Sequence, residues 1–181
     1  MLTLNIPLTS EGWDEEKQEF VEPQCAVLEL EHSLVSLSTW ESKWCKSFLF
    51  TKSMTYEETI DYIKCMTLTP NVDPNIYKLI NDSHINQVSD YISASMTATT
   101  FREDKKSKKD NRIITNELIY YWMTALNIPA EYQHWHLNRL LTLIRVASAE
   151  SNPPKKKNQR ELLASNAALN AARRKQLNSK G

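Results

Sequence analysis

The sequence predicts a mainly α protein: a helical domain with a small N-terminal β-sheet and an extended basic C-terminal helical arm. Hydrophobic residues recur at three- and four-residue steps through much of the chain from Leu34 to Ile144, which is the spacing of a helix face. The segment Leu2–Leu8 instead alternates apolar and polar residues, as a strand does. Glycine occurs only twice, at Gly12 and Gly181, too rarely for the turns and bulges of an all-β fold.

Charge divides the chain into three segments: acidic N-terminal strands over 1–31, a helical core domain over 32–149, and a basic linker and C-terminal arm over 150–181. The first segment carries eight acidic residues and one lysine, a net charge of −7. The last carries eight basic and two acidic residues, a net charge of +6. This segregation favours a solvated arm that binds an acidic partner, or a head-to-tail contact between subunits. Charge that serves solubility alone is the alternative.

The N-terminal segment predicts two or three paired strands. Leu2–Leu8 is expected to end in a turn over 9–12, where Ser and Gly follow. Gln18–Val21 and Cys25–Leu30 are the candidate partners, interrupted at Pro23.

Six helices are expected over 32–149. The first has one face made of Leu34, Leu37, Trp40, Trp44 and Phe48. In the second, Thr55 and Glu58 have the spacing of a capping box. Asp73, followed by proline, is the expected cap of the third helix, and Ser83 that of a helix carrying Val88 and Tyr91.

The rest of the core domain contains a loop and a helical hairpin. Residues 102–112 are rich in charge and predict an exposed, mobile loop. Thr115–Leu126 and Ala130–Ala149 predict two neighbouring helices that anchor the core. The aromatic residues at helical spacing are expected to pack in the core. They are Trp40, Trp44, Tyr121, Trp122, Tyr132 and Trp135.

The C-terminal arm is the segment expected to bind a partner. Gln159–Gln176 is rich in alanine but poor in large apolar residues, so it predicts a marginal helix that packing or a partner stabilises. The arm has no aromatic residue to stack on bases, which favours a protein over a nucleic acid. The predicted contact residues are Lys155, Lys156, Lys157, Arg160, Leu169, Arg173, Arg174, Lys175 and Leu177.

The histidines do not predict a metal site. His134 and His136 are two residues apart, and on a helix such positions face different directions. One is expected at the core edge and the other in solvent. His32 and His84 are distant in sequence and lack a ligand at metal-binding spacing.

Catalytic and cofactor motifs are likewise missing from the sequence. The scarcity of glycine excludes phosphate-binding loops, dinucleotide fingerprints and nucleophile elbows. Cys25, Cys45 and Cys65 have no motif spacing and predict reduced, buried thiols of a cytosolic protein. The adjacent carboxylates Glu57 and Glu58 are expected on an exposed helix face. We therefore expect no enzymatic activity and no cofactor, and we expect neither a leader peptide nor a membrane span.

Several stretches of the chain resemble proteins encoded by tailed phages of Gram-positive bacteria, and the resemblance covers nearly the whole sequence. These stretches are Leu28–Leu34, Ser38–Trp44, Asp61–Pro70, Tyr120–Met123 continuing through Trp135–Leu141, and the closing Asn166–Gly181.

The resemblance implies a siphophage tail-morphogenesis protein. The role it suggests is a tail assembly chaperone, which covers the tape-measure protein while the tail tube protein polymerises around it. A structural virion protein of the tail or neck, whose arm locks neighbouring subunits, is the alternative. A nucleic-acid-binding protein is a third. The expected location is the host cytoplasm or, for a structural subunit, the virion; the family brings no catalytic residue.

Overall fold

A computed structural model describes residues 1–8, 12–14, 19–21, 24–101, 112–151 and 159–177, with backbone alone at 12–14, 19–21, 159–162 and 165. The predicted loop 102–112 lies outside the described residues except for Arg112, which is exposed. The protein is mainly α, as predicted. It divides into two units, Met1–Ala147 and Ser148–Gly181.

The N-terminal strands form two separate antiparallel pairs. β1 (Leu2–Pro7) pairs with β4 (Cys25–Leu30), while β2 (Gly12–Asp14) pairs with β3 (Glu19–Val21). In the first pair the buried side chains are Leu4, Ile6, Leu28 and Leu30, so the period-2 alternation directs one face to the core. The expectation that Gly12 lies in a turn is wrong, because it begins β2.

The outer edge of β4 is covered by the chain that leaves the second helix. The Leu68 N–H donates to the Glu29 carbonyl at 2.7 Å, and the Glu31 N–H donates to the Met66 carbonyl at 2.9 Å. These bonds satisfy polar groups that an edge strand would leave exposed. They also tie the sheet to the helical body.

Helices α1 (Leu34–Trp44) and α2 (Tyr56–Met66) begin at side-chain caps. The predicted capping box of α2 is confirmed: the Glu58 N–H donates to Thr55 Oγ1 at 3.2 Å, and the Thr55 N–H donates to Glu58 Oε2 at 2.8 Å. α1 ends where Cys45 takes a left-handed conformation, with φ of 51°. Phe48, expected on the same helix face, therefore lies in the turn beyond.

Two predicted caps are wrong in the region after α2. The Asp73 carboxylate accepts from the Asn75 N–H at 2.9 Å, which makes a local turn rather than a helix start. Only a 3₁₀ helix, Ile76–Leu79, follows. Helix α3 (Asp82–Ser93) is capped by Asn81, whose side chain accepts from the His84 N–H at 3.1 Å. Ser83 lies inside the helix.

The predicted helix over 130–149 is interrupted. Helix α4 (Asn116–Ala125) is followed by a 3₁₀ helix, Ala130–His134, and then by α5 (Leu137–Ser151). The interruption arises because His136 forms a β-bridge with Ser33, and the Leu137 N–H donates to the His32 carbonyl at 2.7 Å.

Two hydrophobic clusters form the core. The first lies between the β1–β4 sheet and helices α1 to α3, and includes Trp40, Tyr62 and Met66. The second joins α1, α4 and α5, so both helices of the predicted hairpin contribute to the core. Tyr121, expected in the core, is 65% exposed, because the turns of α4 direct Ile119 and Met123 inward instead.

Candidate protein-binding arm and buried histidine cluster

The described part of the C-terminal arm is a single long helix, α6 (Gln159–Leu177). Its described leucine side chains are largely exposed: Leu163 is 63%, Leu169 53% and Leu177 76% exposed. Exposed leucines are individually common. Three of them exposed on one helix offer apolar contact to a partner.

One face of α6 combines apolar and basic side chains. Leu169, Arg173 and Leu177 follow at four-residue steps, and residues so spaced are neighbours along a helix surface. Arg174 and Lys175 are also exposed and lie in the last turn, where positive charge is favoured by the helix dipole. The structure thus places these five predicted contact residues on one exposed helix.

The other predicted contact residues are not placed. Lys155, Lys156 and Lys157 lie outside the described residues, and for Arg160 the backbone alone is described. The prediction that they contact a partner stays a prediction. The arm has many small side chains, which permit close approach of a second helix. Its exposed alanines are Ala164, Ala167, Ala168, Ala171 and Ala172.

A second feature was not predicted: the fold brings two distant histidines together in the protein interior. His32 is 1% and His136 6% exposed, and their ring centroids are 5.1 Å apart. The β-bridge between Ser33 and His136 holds the two residues side by side. Because the residues lie more than a hundred positions apart in sequence, no local spacing signals this contact.

The hydrogen bonds of His136 define its protonation. Nε2 lies 3.1 Å from the Tyr91 carbonyl oxygen, and a carbonyl only accepts, so Nε2 carries the proton. Nδ1 is buried and has no hydrogen-bond partner among the described residues. A second proton would therefore be placed on an atom without an acceptor. Consistent with this geometry, burial lowers the pKa of His136 below its ordinary value.

His32 is also held neutral. Its Nδ1 lies 2.5 Å from the Tyr62 hydroxyl, and its ring is enclosed by Phe48, Tyr62 and His136. Burial, with a smaller contribution from His136, lowers the pKa of His32 to about 3. A neutral imidazole is cheaper to bury than a charged one. At neutral pH the imidazoles of His32 and His136 are therefore both uncharged and buried.

The cluster extends to the N-terminus through Tyr91 and Glu31. The Tyr91 hydroxyl donates to Glu31 Oε1 at 2.7 Å, and the amino group of Met1 lies 2.9 Å from Glu31 Oε2. Burial and the Glu31 carboxylate raise the pKa of Tyr91 above its usual range. We call these residues the histidine cluster: Glu31, His32, Tyr62, Tyr91 and His136. It joins the residues just after β4 to α2, α3 and the residue just before α5.

The placement of His134 and of the three cysteines confirms one part of the sequence prediction and corrects another. His134 is exposed while His136 is buried, which confirms the prediction that one of the two faces solvent and the other the core. The expected burial of the thiols is wrong for Cys25 and Cys45, which are exposed, and Cys65 is half-buried. Cys45 lies outside because it is the left-handed residue that ends α1.

The adjacent carboxylates Glu57 and Glu58 also differ from expectation. Glu57 is exposed, but Glu58 is only 2% exposed. Lys46 Nζ lies 2.5 Å from Glu58 Oε1, while the other oxygen serves the capping box. Both oxygens of Glu58 are thus occupied by structural contacts, and hydrogen bonding to Lys46 and Thr55 lowers its pKa.

Within the described ranges, no group of three histidine, cysteine or carboxylate side chains is arranged to hold a metal ion. No helix described there has the length and apolar character needed to cross a membrane. Comparison with protein-family models, curated proteins and solved structures gives no match to this chain.

Proposed function

We propose that the protein is a siphophage tail assembly chaperone that binds the tape-measure protein, and through it the tail tube protein, during tail morphogenesis. The observation that carries the proposal is the exposed helix α6, with its uncovered leucines and basic last turn. The family resemblance of the sequence supplies the identity of the partners.

The surface chemistry of α6 suits temporary cover of a helical partner. Leu169 and Leu177 supply apolar contact, and the alanines allow a second helix to approach closely. A helix with so few large apolar residues is marginal alone, so part of the binding free energy is spent on ordering it. That cost keeps the affinity moderate, which a chaperone needs if it is to be displaced when the tube closes. Arg173, Arg174 and Lys175 would orient the contact and speed association.

A pull-down from infected cells tests the proposal. Tagged full-length chain is compared with a chain ending at Ser151 and with the double variant Leu169→Ser and Leu177→Ser. The double variant Asn166→Ser and Asn170→Ser is the matched control, because it changes two exposed polar residues of the same helix without removing a leucine or an alanine. We expect the full-length chain and the control variant to recover the tape-measure protein. The truncated chain and the leucine double variant should recover at least tenfold less of it. Recovery of capsid or tube subunits without the tape-measure protein would contradict the proposal.

Two further measurements separate the alternatives. Mass spectrometry of purified particles distinguishes a chaperone from a structural subunit, because stoichiometric presence in the virion contradicts the chaperone role. Binding to duplex DNA at low salt, lost when the chain ends at Ser151, would favour nucleic-acid binding through the arm.

A further inference from the structure

An open pocket of about 440 Å³ lies between the end of α1, helix α2 and the 3₁₀ helix Ile76–Leu79. Its walls include the rings of Trp44, Tyr56 and Tyr77, and its lysines are Lys43, Lys64 and Lys78. We call it the lysine pocket. None of its lining residues belongs to the histidine cluster or to α6, so neither feature explains it.

The three aromatic side chains that line the lysine pocket use their polar atoms inside the protein. Trp44 Nε1 donates to Asp61 Oδ2 at 2.9 Å, and the Tyr77 hydroxyl donates to Thr67 Oγ1 at 3.0 Å. The Tyr56 hydroxyl donates to the Ile80 carbonyl at 3.3 Å. The rings therefore offer apolar surface to a ligand rather than hydrogen-bond donors. A ligand that fits must bring an apolar or aromatic group.

The charges at the lysine pocket favour an anionic ligand. Its acidic side chains are Glu57 and Asp61, and Asp61 is already paired with Lys43 and Trp44. Lys64 and Lys78 are exposed, and Lys64 Nζ lies 5.5 Å from the centre of the Tyr77 ring. Carboxylates placed beside a bound apolar group would contact these two lysines.

The chain itself contains a segment with this chemistry. Residues 11–22 carry six acidic residues and one lysine, together with Trp13 and Phe20. Among the described residues, β2 and β3 of this segment pair with each other, in a register that sets Trp13 opposite Phe20.

We propose that the lysine pocket of one copy binds the acidic segment 11–22 of a second copy, with an aromatic side chain between the rings and carboxylates on Lys64 and Lys78. The donor, which is the acidic segment, and the acceptor, which is the lysine pocket, are different surfaces. The contact is therefore head-to-tail and can extend beyond a dimer. This self-recognition is independent of the arm and of the proposed chaperone role.

Complementation between two variants tests the proposal with the full-length chain. Trp13→Ala with Phe20→Ala removes the donor, and Lys64→Glu with Lys78→Glu removes the acceptor. In sedimentation velocity we expect the wild type to grow in mass with concentration, and each variant to stay monomeric. In a one-to-one mixture, the intact acidic segment of the acceptor variant can bind the intact lysine pocket of the donor variant. Only this one contact is possible, so the mixture should give a dimer that grows no further.

A peptide covering residues 9–23, labelled with a fluorophore, provides a second readout. We expect the acceptor variant to bind it at least tenfold more weakly than the wild type. Binding should also weaken at least tenfold between 0.05 and 0.5 M salt, because the contact is charged. The control Lys52→Glu changes an exposed lysine outside the pocket and should leave binding within twofold. A wild type that is monomeric at all concentrations, or assembly unchanged by Lys64→Glu with Lys78→Glu, would overturn the proposal.

Discussion

The Glu41 carboxylate and the backbone N–H of Asn116 lie 2.7 Å apart and join α1 to the start of α4. The same oxygen, Oε2, accepts from the Asn116 side-chain amide at 2.8 Å, and Oε1 accepts from the Phe48 N–H at 2.8 Å. Thr115 occupies the cap position of α4 but makes no side-chain cap bond. A carboxylate of another helix thus serves as the cap, at the helix end where negative charge is favoured.

Replacing Glu41 by alanine should strongly destabilise the fold. Glu41 is 6% exposed, so the change leaves buried N–H donors without an acceptor, and hydrogen bonds to charged groups contribute the most. We expect the free energy of unfolding in urea, followed by tryptophan fluorescence, to fall by roughly 3–5 kcal/mol. Glu41→Gln keeps one acceptor oxygen and should cost less.

The matched control is Glu131→Ala, which removes an exposed carboxylate. It should change the free energy of unfolding by less than about 0.5 kcal/mol. A Glu41→Ala variant as stable as this control would show that water replaces the carboxylate at the start of α4.

Structure that depends on residues close in sequence was predictable in this protein. The predictions that were wrong concern places where residues distant in sequence make contact. The Thr55–Glu58 capping box was predictable because both partners lie within one helical turn. The Glu41 cap of α4 was not, because its partner is 75 positions away. The break before Leu137 has the same origin, since the hydrogen bond from its N–H to His32 replaces a helical one.

The functional features divide in the same way. Composition predicts the helix α6 and its exposed leucines, because a segment poor in large apolar residues cannot bury a face. The histidine cluster and the lysine pocket arise only when separate elements meet. His134 and His136 showed alternating burial as predicted, but nothing near either residue in sequence indicated His32.

The histidine cluster should make stability depend on pH in the acid range. Folding lowers the pKa of His32 to about 3, so between pH 6.5 and 3 the unfolded chain binds the proton that the folded chain excludes. The stabilising contribution of neutral His32 is complete above pH 6.5 and is lost as pH falls. From pH 7.5 to 5, His32 should reduce the free energy of unfolding by about 2 kcal/mol.

His32→Gln isolates this contribution, because glutamine keeps a hydrogen-bonding group near Tyr62 but does not titrate. Urea unfolding at pH 7.5, 6 and 5 should show a flatter pH dependence for His32→Gln than for the wild type. His134→Gln changes an exposed histidine and should leave the slope unchanged. Parallel slopes for His32→Gln and the wild type would mean that His32 titrates normally in the folded protein.

The three cysteines should differ in reactivity. Burial raises the pKa of Cys65 to about 11, and only the thiolate reacts. At pH 8 its thiolate population is about 100-fold below that of a thiol two pKa units lower. In variants that keep one cysteine each, a disulfide reagent should modify the exposed Cys45 rapidly and Cys65 at least tenfold more slowly, because the stronger nucleophilicity of a less acidic thiolate offsets part of the population difference. Comparable rates would place the Cys65 thiol in solvent.

Removal of α6 should leave the stability of the unit Met1–Ala147 unchanged. The described side chains of α6, Leu163 to Leu177 with residue 165 undescribed, are exposed, so we expect their removal to cost little buried apolar area. A chain ending at Ser151 should therefore have a free energy of unfolding within about 0.5 kcal/mol of the full-length value.

The helix α6 as an isolated peptide gives an independent readout. A peptide of residues 159–177 should show little helical circular dichroism in water, because a 19-residue helix without packing is near the margin. Its helicity should rise on addition of a helical binding partner. If the truncated chain were destabilised by more than about 1 kcal/mol, α6 would be a structural part of the body and its leucines would not be available to a partner.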